Sequence, residues 1–416
     1  MTPEKIRDTP IGTRLSALRG AAQLVAHGAT GVLGVVEGVH HSVLTTLGLG
    51  SLAAPERTGG LTGLVYRGIH GTVRQVGRGA DGLLAAAQAL ATSGAGQQTS
   101  RNHAESDRHA RYVSILNGVL GDHLAEHDNP LALPMTLRHR GQVLDPDCVP
   151  PGRKVSGKVL LLIHGLCMNE RQWGLIGRDD AWATALGYTV VQLRYNSGLH
   201  VSRNGRQLAA ALTRLSEIWP VPISEISLVG HSMGGLVARS ACHIGQAEGQ
   251  RWAAQLKHMV FLGTPHHGAP LERAGNWVDA LLSSTRYSAP FARIGQLRSA
   301  GITDLRHGHV LDEHWQGRHR FQRSPDGRSP VPLPEGVRCH AIAATIAPAA
   351  PTLTGAVLGA GDGLVLLDSA LGRHPDPRHA LRFARRSQWV VRDTSHLGLL
   401  NEPRVLRRMA GWLAGH

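Results

Sequence analysis

Apolar residues recur at alternating four- and three-residue steps along the first part of the chain: Ile11, Leu15, Leu18, Ala22, Val25, Ala29, Val32, Val36, Val39 and Val43. That spacing lays one apolar stripe along a helix for many turns. A second stripe runs through Leu61, Val65, Ile69, Val73, Val76, Ala80, Leu83, Ala87 and Leu90. Gly48-Leu49-Gly50-Ser51 and Pro55 lie between them, so the pattern predicts two long helices joined as an antiparallel hairpin. Gly28, Gly31, Gly34 and Gly38 interrupt the first stripe. Each costs about 1 kcal/mol of helix propensity against alanine, but glycine at this spacing lets helix backbones approach closely. A small, polar stretch over 91–100 reads as a linker, and a further helix is predicted over 104–127.

Beyond about residue 130 the period shortens. Met135–His139 alternates like an edge strand, and Val159–Ile163 is a continuous apolar run suited to a strand buried on both faces. Further strands are predicted over 186–193, 226–229, 258–262, 341–346 and 389–391, with helices through Leu208, Leu212 and Leu215 and from Gly235 onward. Strands alternating with helices imply an α/β fold, a mostly parallel sheet flanked by helices. The domain reading is a helical accessory region over 1–128 and a catalytic domain over 129–416. An insertion over 269–335 is predicted to form a lid in which Trp277, Val278, Leu281 and Leu282 line an acyl-binding face. The plainer alternative is ordinary packing of a surface helix.

Composition narrows the setting. The four cysteines, at 148, 167, 242 and 339, show no C-x-x-C spacing, which favours a reduced, cytoplasmic protein. The first residues have no apolar run of a secretory signal, and no stretch of about 18 apolar residues predicts a membrane span. A net charge of +14 favours contact with an anionic surface. Because the charge is scattered arginine and aromatics are only 4% of the chain, nucleic acid is not the expected partner. The N-terminal hairpin is expected to pack on the catalytic domain or on a second copy as a homo-oligomer. A peripheral membrane anchor is the alternative, with Arg14, Arg19, Arg67, Arg74 and Arg78 at the headgroups.

The chemistry centres on Gly230-His231-Ser232-Met233-Gly234, a G-x-S-x-G between a predicted strand and a predicted helix. Strand, sharp turn and helix are what a nucleophile elbow needs, because the turn lifts the serine hydroxyl above the sheet. A serine is a weak nucleophile until a neutral histidine takes its proton, and a carboxylate must hold that histidine in the right tautomer. Asp362, in Gly361-Asp362-Gly363, and His396 follow in the order nucleophile, acid, base, which is the α/β-hydrolase order. Ser232, Asp362 and His396 are therefore the candidate triad, with Asp368 as the rival acid. The N–H groups of Leu166 and Met233 are the candidate oxyanion donors. His231, Trp277 and Leu281 are the candidate substrate-binding residues. His164 is expected to brace the oxyanion loop, and Cys167 to pack in the interior. His266, His267, Asp304, His307, His309, Asp312 and His314 invite a metal reading. With 25 histidines in the chain such groupings arise by chance, so no metal and no cofactor are expected.

His164-Gly165, the pentapeptide, Gly263-Thr264-Pro265-His266, Gly361-Asp362-Gly363-Leu364-Val365 and Ser395-His396 together resemble bacterial α/β-hydrolases of the lipase/esterase type. The similarity is strongest to the GPI inositol-deacylase-like (PGAP1-like) subgroup and spans roughly residues 130–416. The resemblance implies a serine esterase or lipase that cleaves carboxylic esters of lipid-like substrates through an acyl-enzyme. An acyltransferase or thioesterase would use the same triad, and a membrane-associated scaffold without turnover is the non-enzymatic alternative. Cys167-Met168 departs from the small or glycine-containing turn that many lipases carry after the oxyanion residue.

Overall fold

The computed structural model describes residues 103–144, 155–269, 299–317, 327–347 and 361–415. Both N-terminal stripes, the linker over 91–100, and Trp277, Val278, Leu281 and Leu282 lie outside these described residues. Residues 107–123 and 133 onward form one compact unit, and residues 124–132 belong to a second.

The strands in chain order are β1 (Thr136–His139), β2 (Gln142–Val143), β3 (Lys158–Ile163), β4 (Tyr188–Arg194), β5 (Glu225–His231), β6 (Leu256–Leu262), β7 (Arg338–Thr345) and β8 (Gln388–Arg392). They form one sheet in the order β2-β1-β4-β3-β5-β6-β7-β8. From β4 to β8 every neighbouring pair is parallel, whereas β1 runs antiparallel to both β2 and β4. β3 sits between β4 and β5, and Val159 through Ile163 are completely buried. A strand paired on both edges and covered on both faces has no solvated side, which is why its sequence is a run and not an alternation.

Helices cover both faces. The longer helices are α1 (His103–Glu126), α2 (Val201–Ile218), α3 (Met233–Ala247), α4 (Ala300–His307) and α5 (Pro403–Leu413), of which α3 and α5 pack on the sheet. On one face Leu160, Leu162, Val229, Val260 and Ile342 join Val405, Met409 and Trp412 of α5 in a single apolar cluster. Complete burial of each such side chain stabilises the fold by about 1.5–3 kcal/mol before conformational entropy is charged against it. Glu402 caps α5 by accepting from the Arg404 amide, and Pro403 opens it, where a missing N–H costs nothing.

Three expectations shift. The strand opening the catalytic domain is second from the edge, because Gln142–Val143 pairs outside it. The strand expected from Leu186 begins at Tyr188, after a turn at Leu186-Gly187. The helix placed in the accessory region contributes its 107–123 stretch to the compact unit that holds residues 133 onward. Ser299 Oγ donates to the Gly118 carbonyl at 2.6 Å, and the Asn196 side chain donates to the Gly121 carbonyl at 2.8 Å. Of the insertion over 269–335, the described part includes α4, capped by Ser299 and ended by Gly308 in the left-handed region.

Candidate active site

β5 runs straight into the pentapeptide, and Ser232 stands between β5 and α3 with φ 54° and ψ −124°. An L-residue held there stores on the order of 1–3 kcal/mol of strain, which the surrounding packing must sustain. Gly234 makes the turn feasible: a Cβ on it would lie 2.0 Å from the Ile163 carbonyl oxygen. The elbow is thus pressed against the end of β3, and there is no room for any side chain at this position.

The candidate acid, Asp362, lies in the chain between β7 and β8. Gly361 bridges to Leu366, closing a tight turn in which Asp362 Oδ1 accepts from the amides of Leu364 at 3.0 Å and Val365 at 2.8 Å. Its other oxygen, Oδ2, accepts from His396 Nδ1 at 2.7 Å. The His396 amide donates to the Asp362 carbonyl at 3.0 Å, so side chain and backbone both tie His396 to Asp362. Burial pushes the Asp362 carboxyl up, but the adjoining His396 and the two amides outweigh it, leaving the group below its ordinary range. A carboxylate can only accept, so Nδ1 carries the proton and Nε2 is the basic nitrogen of His396. Asp368 is exposed and pairs with Arg373 at 3.2 Å, with no part in this arrangement.

Ser232 Oγ is buried and has no hydrogen-bond partner among the described residues. No hydrogen bond joins the candidate nucleophile to His396 Nε2 here, and in serine hydrolases substrate commonly tightens such a contact. Met233 is the first residue of α3, where an amide has no partner inside the helix and the helix dipole favours negative charge. Leu166 lies in the loop after β3, and its amide donates to no oxygen among the described residues.

That loop is fastened from beneath. Tyr195 Oη donates to the His164 carbonyl at 2.8 Å, and the two rings stack at 4.4 Å. His164 Nδ1 donates to the Gly165 carbonyl at 2.9 Å, and burial lowers the imidazole to about 4, so it stays neutral. Cys167 has φ 59°, and its amide donates to Ser197 Oγ at 3.1 Å. Burial pushes its thiol up to about 12, which removes it as a nucleophile near neutral pH. Glu170, also buried, holds Arg194 through both oxygens.

His231 lies behind the base. Its Nε2 donates to the His396 carbonyl at 3.2 Å, and the rings are 4.8 Å apart. Burial and the nearby His396 lower it to about 3. Trp277 and Leu281 lie outside the described residues.

Sequence reasoning assigned Gly263 no role of its own and did not point to Tyr195, Arg194 or Glu170 as braces of the site. Gly263 has φ 56°, and a Cβ there would meet Leu399 Cδ1 at 2.9 Å and both Asp362 Oδ2 and His396 Cε1 at 3.2 Å. Its place directly after a strand was the available signal. Tyr195, Arg194 and Glu170 gave none, since nothing in the local pattern links them to residue 164. Four of the residues that suggested a metal, Asp304, His309, Asp312 and His314, have separate partners. Asp304 accepts from His200 Nδ1 at 3.0 Å and His309 Nδ1 at 3.1 Å, Asp312 pairs with Arg206, and His314 accepts from the Val310 amide. Among the described residues they do not converge on one point.

Residues 154–327 match the family model described as the PGAP1-like alpha/beta domain. No curated protein matches the chain in sequence. Among solved structures, the chain is similar to the mature lipase BlEst2 of Bacillus licheniformis, at 16% identity over 67% of this chain and 98% of that one, with a TM-score of 0.40. It is also similar to the esterase Pf2001 of Pyrococcus furiosus, at 14% identity over 62% and 81% of the two chains, with a TM-score of 0.35. Lipase B of Aspergillus fumigatus shares 13% identity over 60% and 50%, with a TM-score of 0.35.

Proposed function

We propose that this chain, an α/β-hydrolase of PGAP1-like type, is a serine hydrolase that cleaves carboxylic esters of lipid-like substrates through an acyl-enzyme. The observation that carries the reading is the buried Asp362–His396 pair at 2.7 Å, on the same sheet edge as a serine held at positive φ. Ser232 Oγ attacks the ester carbonyl while His396 Nε2 takes its proton, and Asp362 stabilises the resulting imidazolium. The amides of Met233 and Leu166 meet the oxyanion as it forms. Collapse of the tetrahedral intermediate passes that proton to the departing alcohol. Water then repeats the sequence on the acyl-Ser232 ester and releases the acid.

Fluorophosphonate labelling followed by peptide mass spectrometry tests this. The label is expected on Ser232, and Ser232→Ala is expected to abolish both labelling and turnover of p-nitrophenyl esters. A label on another serine, or full turnover by the alanine variant, overturns the assignment. A chain-length series of the same esters then reads whether long acyl groups are preferred.

The reading extends to a cytoplasmic protein at an anionic membrane surface, supported by the net charge of +14. Among the described residues no helix is long and apolar enough to cross a membrane. The full chain is expected to sediment with phosphatidylglycerol vesicles at low salt and to be released at high salt, because arginine–headgroup contacts are screened. Equal sedimentation with neutral vesicles, or none with either, removes the membrane from the reading.

A further inference from the structure

The amino end of β7 lies far from the candidate triad. Arg338 is the first residue of the strand, and Ile346, just past its last, donates to the carbonyl of Gly361 beside Asp362. Its eight residues, at about 3.3 Å per step, set the two ends about 23 Å apart. An open cleft of about 850 Å³ lies at the amino end, walled by parts of 331–340 and 377–387 and by Arg408 and Trp412 of α5. Clefts that hold small molecules commonly measure about 300–1,000 Å³.

The wall has two kinds of surface. Leu381, Phe383 and Trp412 are buried and supply an apolar floor. Arg338, Arg382, Arg386 and Arg408 line the same cleft and are exposed at its rim. None of these four pairs with a carboxylate among the described residues. The Arg408 guanidinium instead lies 5.4 Å from the Trp389 ring and 5.8 Å from the Trp412 ring. The fifth arginine of the wall, Arg378, is matched by Asp376, and Glu335 is the only carboxylate among the described residues that line the cleft. His340 joins rim to floor. Its ring stacks on Trp412 at 4.6 Å, and after burial and the neighbouring His258, the charges of Arg338 and Arg386 help lower it to about 4. It is therefore neutral and adds no charge of its own.

Four like charges gathered round one cleft repel each other, and its walls focus their field into the opening. An anion there relieves the repulsion. The planar fork of arginine suits phosphate, which accepts two parallel N–H bonds from a single guanidinium. A monocarboxylate brings one negative charge, whereas a phosphate monoester brings about −1.5 to −2 near neutral pH, closer to the excess on the wall. The apolar floor selects a guest whose remaining surface is apolar too.

We infer that this cleft binds a phosphate monoester with an apolar body, its phosphate among the arginines and its body against Leu381, Phe383 and Trp412. The site is distinct from the candidate triad, and its existence does not rest on ester cleavage.

Isothermal titration calorimetry of the full chain tests this, with decyl phosphate, decanoate, inorganic phosphate and decyl maltoside at one ionic strength and below their micelle thresholds. Decyl phosphate is expected to bind at least about tenfold more tightly than each of the others. Arg382→Gln and Arg386→Gln, made together, should weaken it on the order of a hundredfold, about tenfold for each charge-assisted hydrogen bond removed. Both side chains are exposed, so the double variant should fold and turn over a short soluble ester at the native rate. Equal affinity for decanoate, inorganic phosphate or decyl maltoside, or native affinity for decyl phosphate in the double variant, overturns the inference. The binding readouts do not depend on turnover, so their failure is distinct from failure of the catalytic reading.

Discussion

At the scale of single residues, the site depends on which carboxylate stands beside His396. Asp362 is buried, accepts two amides on one oxygen and holds the imidazole on the other. Asp362→Asn replaces that acceptor with an amide group that no longer enforces the productive tautomer. It is expected to lower kcat by on the order of 10⁴, the loss known for the equivalent change in a serine triad. Asp368→Asn touches only an exposed pair with Arg373 and should leave kcat near the native value. Steady-state kinetics on a short soluble ester checks both, and reversed results would mean the acid loop has been misassigned. The three proposed reactive groups could be picked out of the sequence as candidates because each has a chemical identity and sits just past an apolar run. Of their supports, only His164 in the loop after β3 was expected; those of His396 were not legible. His231 braces the base through a backbone carbonyl 165 residues away, and such a contact leaves no local trace.

At the scale of elements, legibility followed burial. β3 and β5 through β7 are central strands that show as apolar runs. The two-residue β2 has no period to detect, so the hairpin that displaces β1 from the sheet edge was missed. The helix over 103–126 was found close to its true limits, yet its stripe could not say which unit it joins. The glycines separate into those the fold requires and those it merely tolerates. Gly234→Ala would put a methyl 2.0 Å from the Ile163 carbonyl and 2.6 Å from that of His164. A loss of about 3 kcal/mol is expected, or failure to fold, since neither strand end can retreat. Gly411, inside α5, has nothing among the described residues within 4 Å of where a methyl would sit. Gly411→Ala should therefore stabilise by about 0.5–1 kcal/mol through helix propensity alone. Urea denaturation of the two variants measures the contrast, and similar midpoints would contradict this account of the elbow.

At the scale of the whole molecule, the fold has taken many histidines into its interior in neutral form. Burial lowers His164, His314 and His340 to about 4 and His231 to about 3, and holds His266 well below its ordinary value. In the unfolded chain each titrates near 6.5. Between that value and about 4 the unfolded chain binds more protons than the folded one, so stability must fall as pH drops through this window. Each fully buried histidine contributes up to about 1.4 kcal/mol per pH unit there. Urea midpoints are expected to be nearly flat from pH 8 to 7 and to decline steadily from 6.5 to 5. A midpoint unchanged from pH 7 to 5 would show that these rings are protonated or solvated in the fold.

The strand order also sets a sequence of events in time. From β5 onward the sheet grows outward at one edge in the order the chain is made: β5, β6, β7, β8. During synthesis the elbow of Ser232 can form against β3 while the strands that deliver Asp362 and His396 are still untranslated. About 160 residues separate nucleophile from base, a delay on the order of ten seconds at ordinary rates of translation. The chain order thus makes the strained serine available first and the proposed proton acceptor, His396, last. On the proposed mechanism, the chain would gain activity toward esters only once its outermost parallel strand has docked.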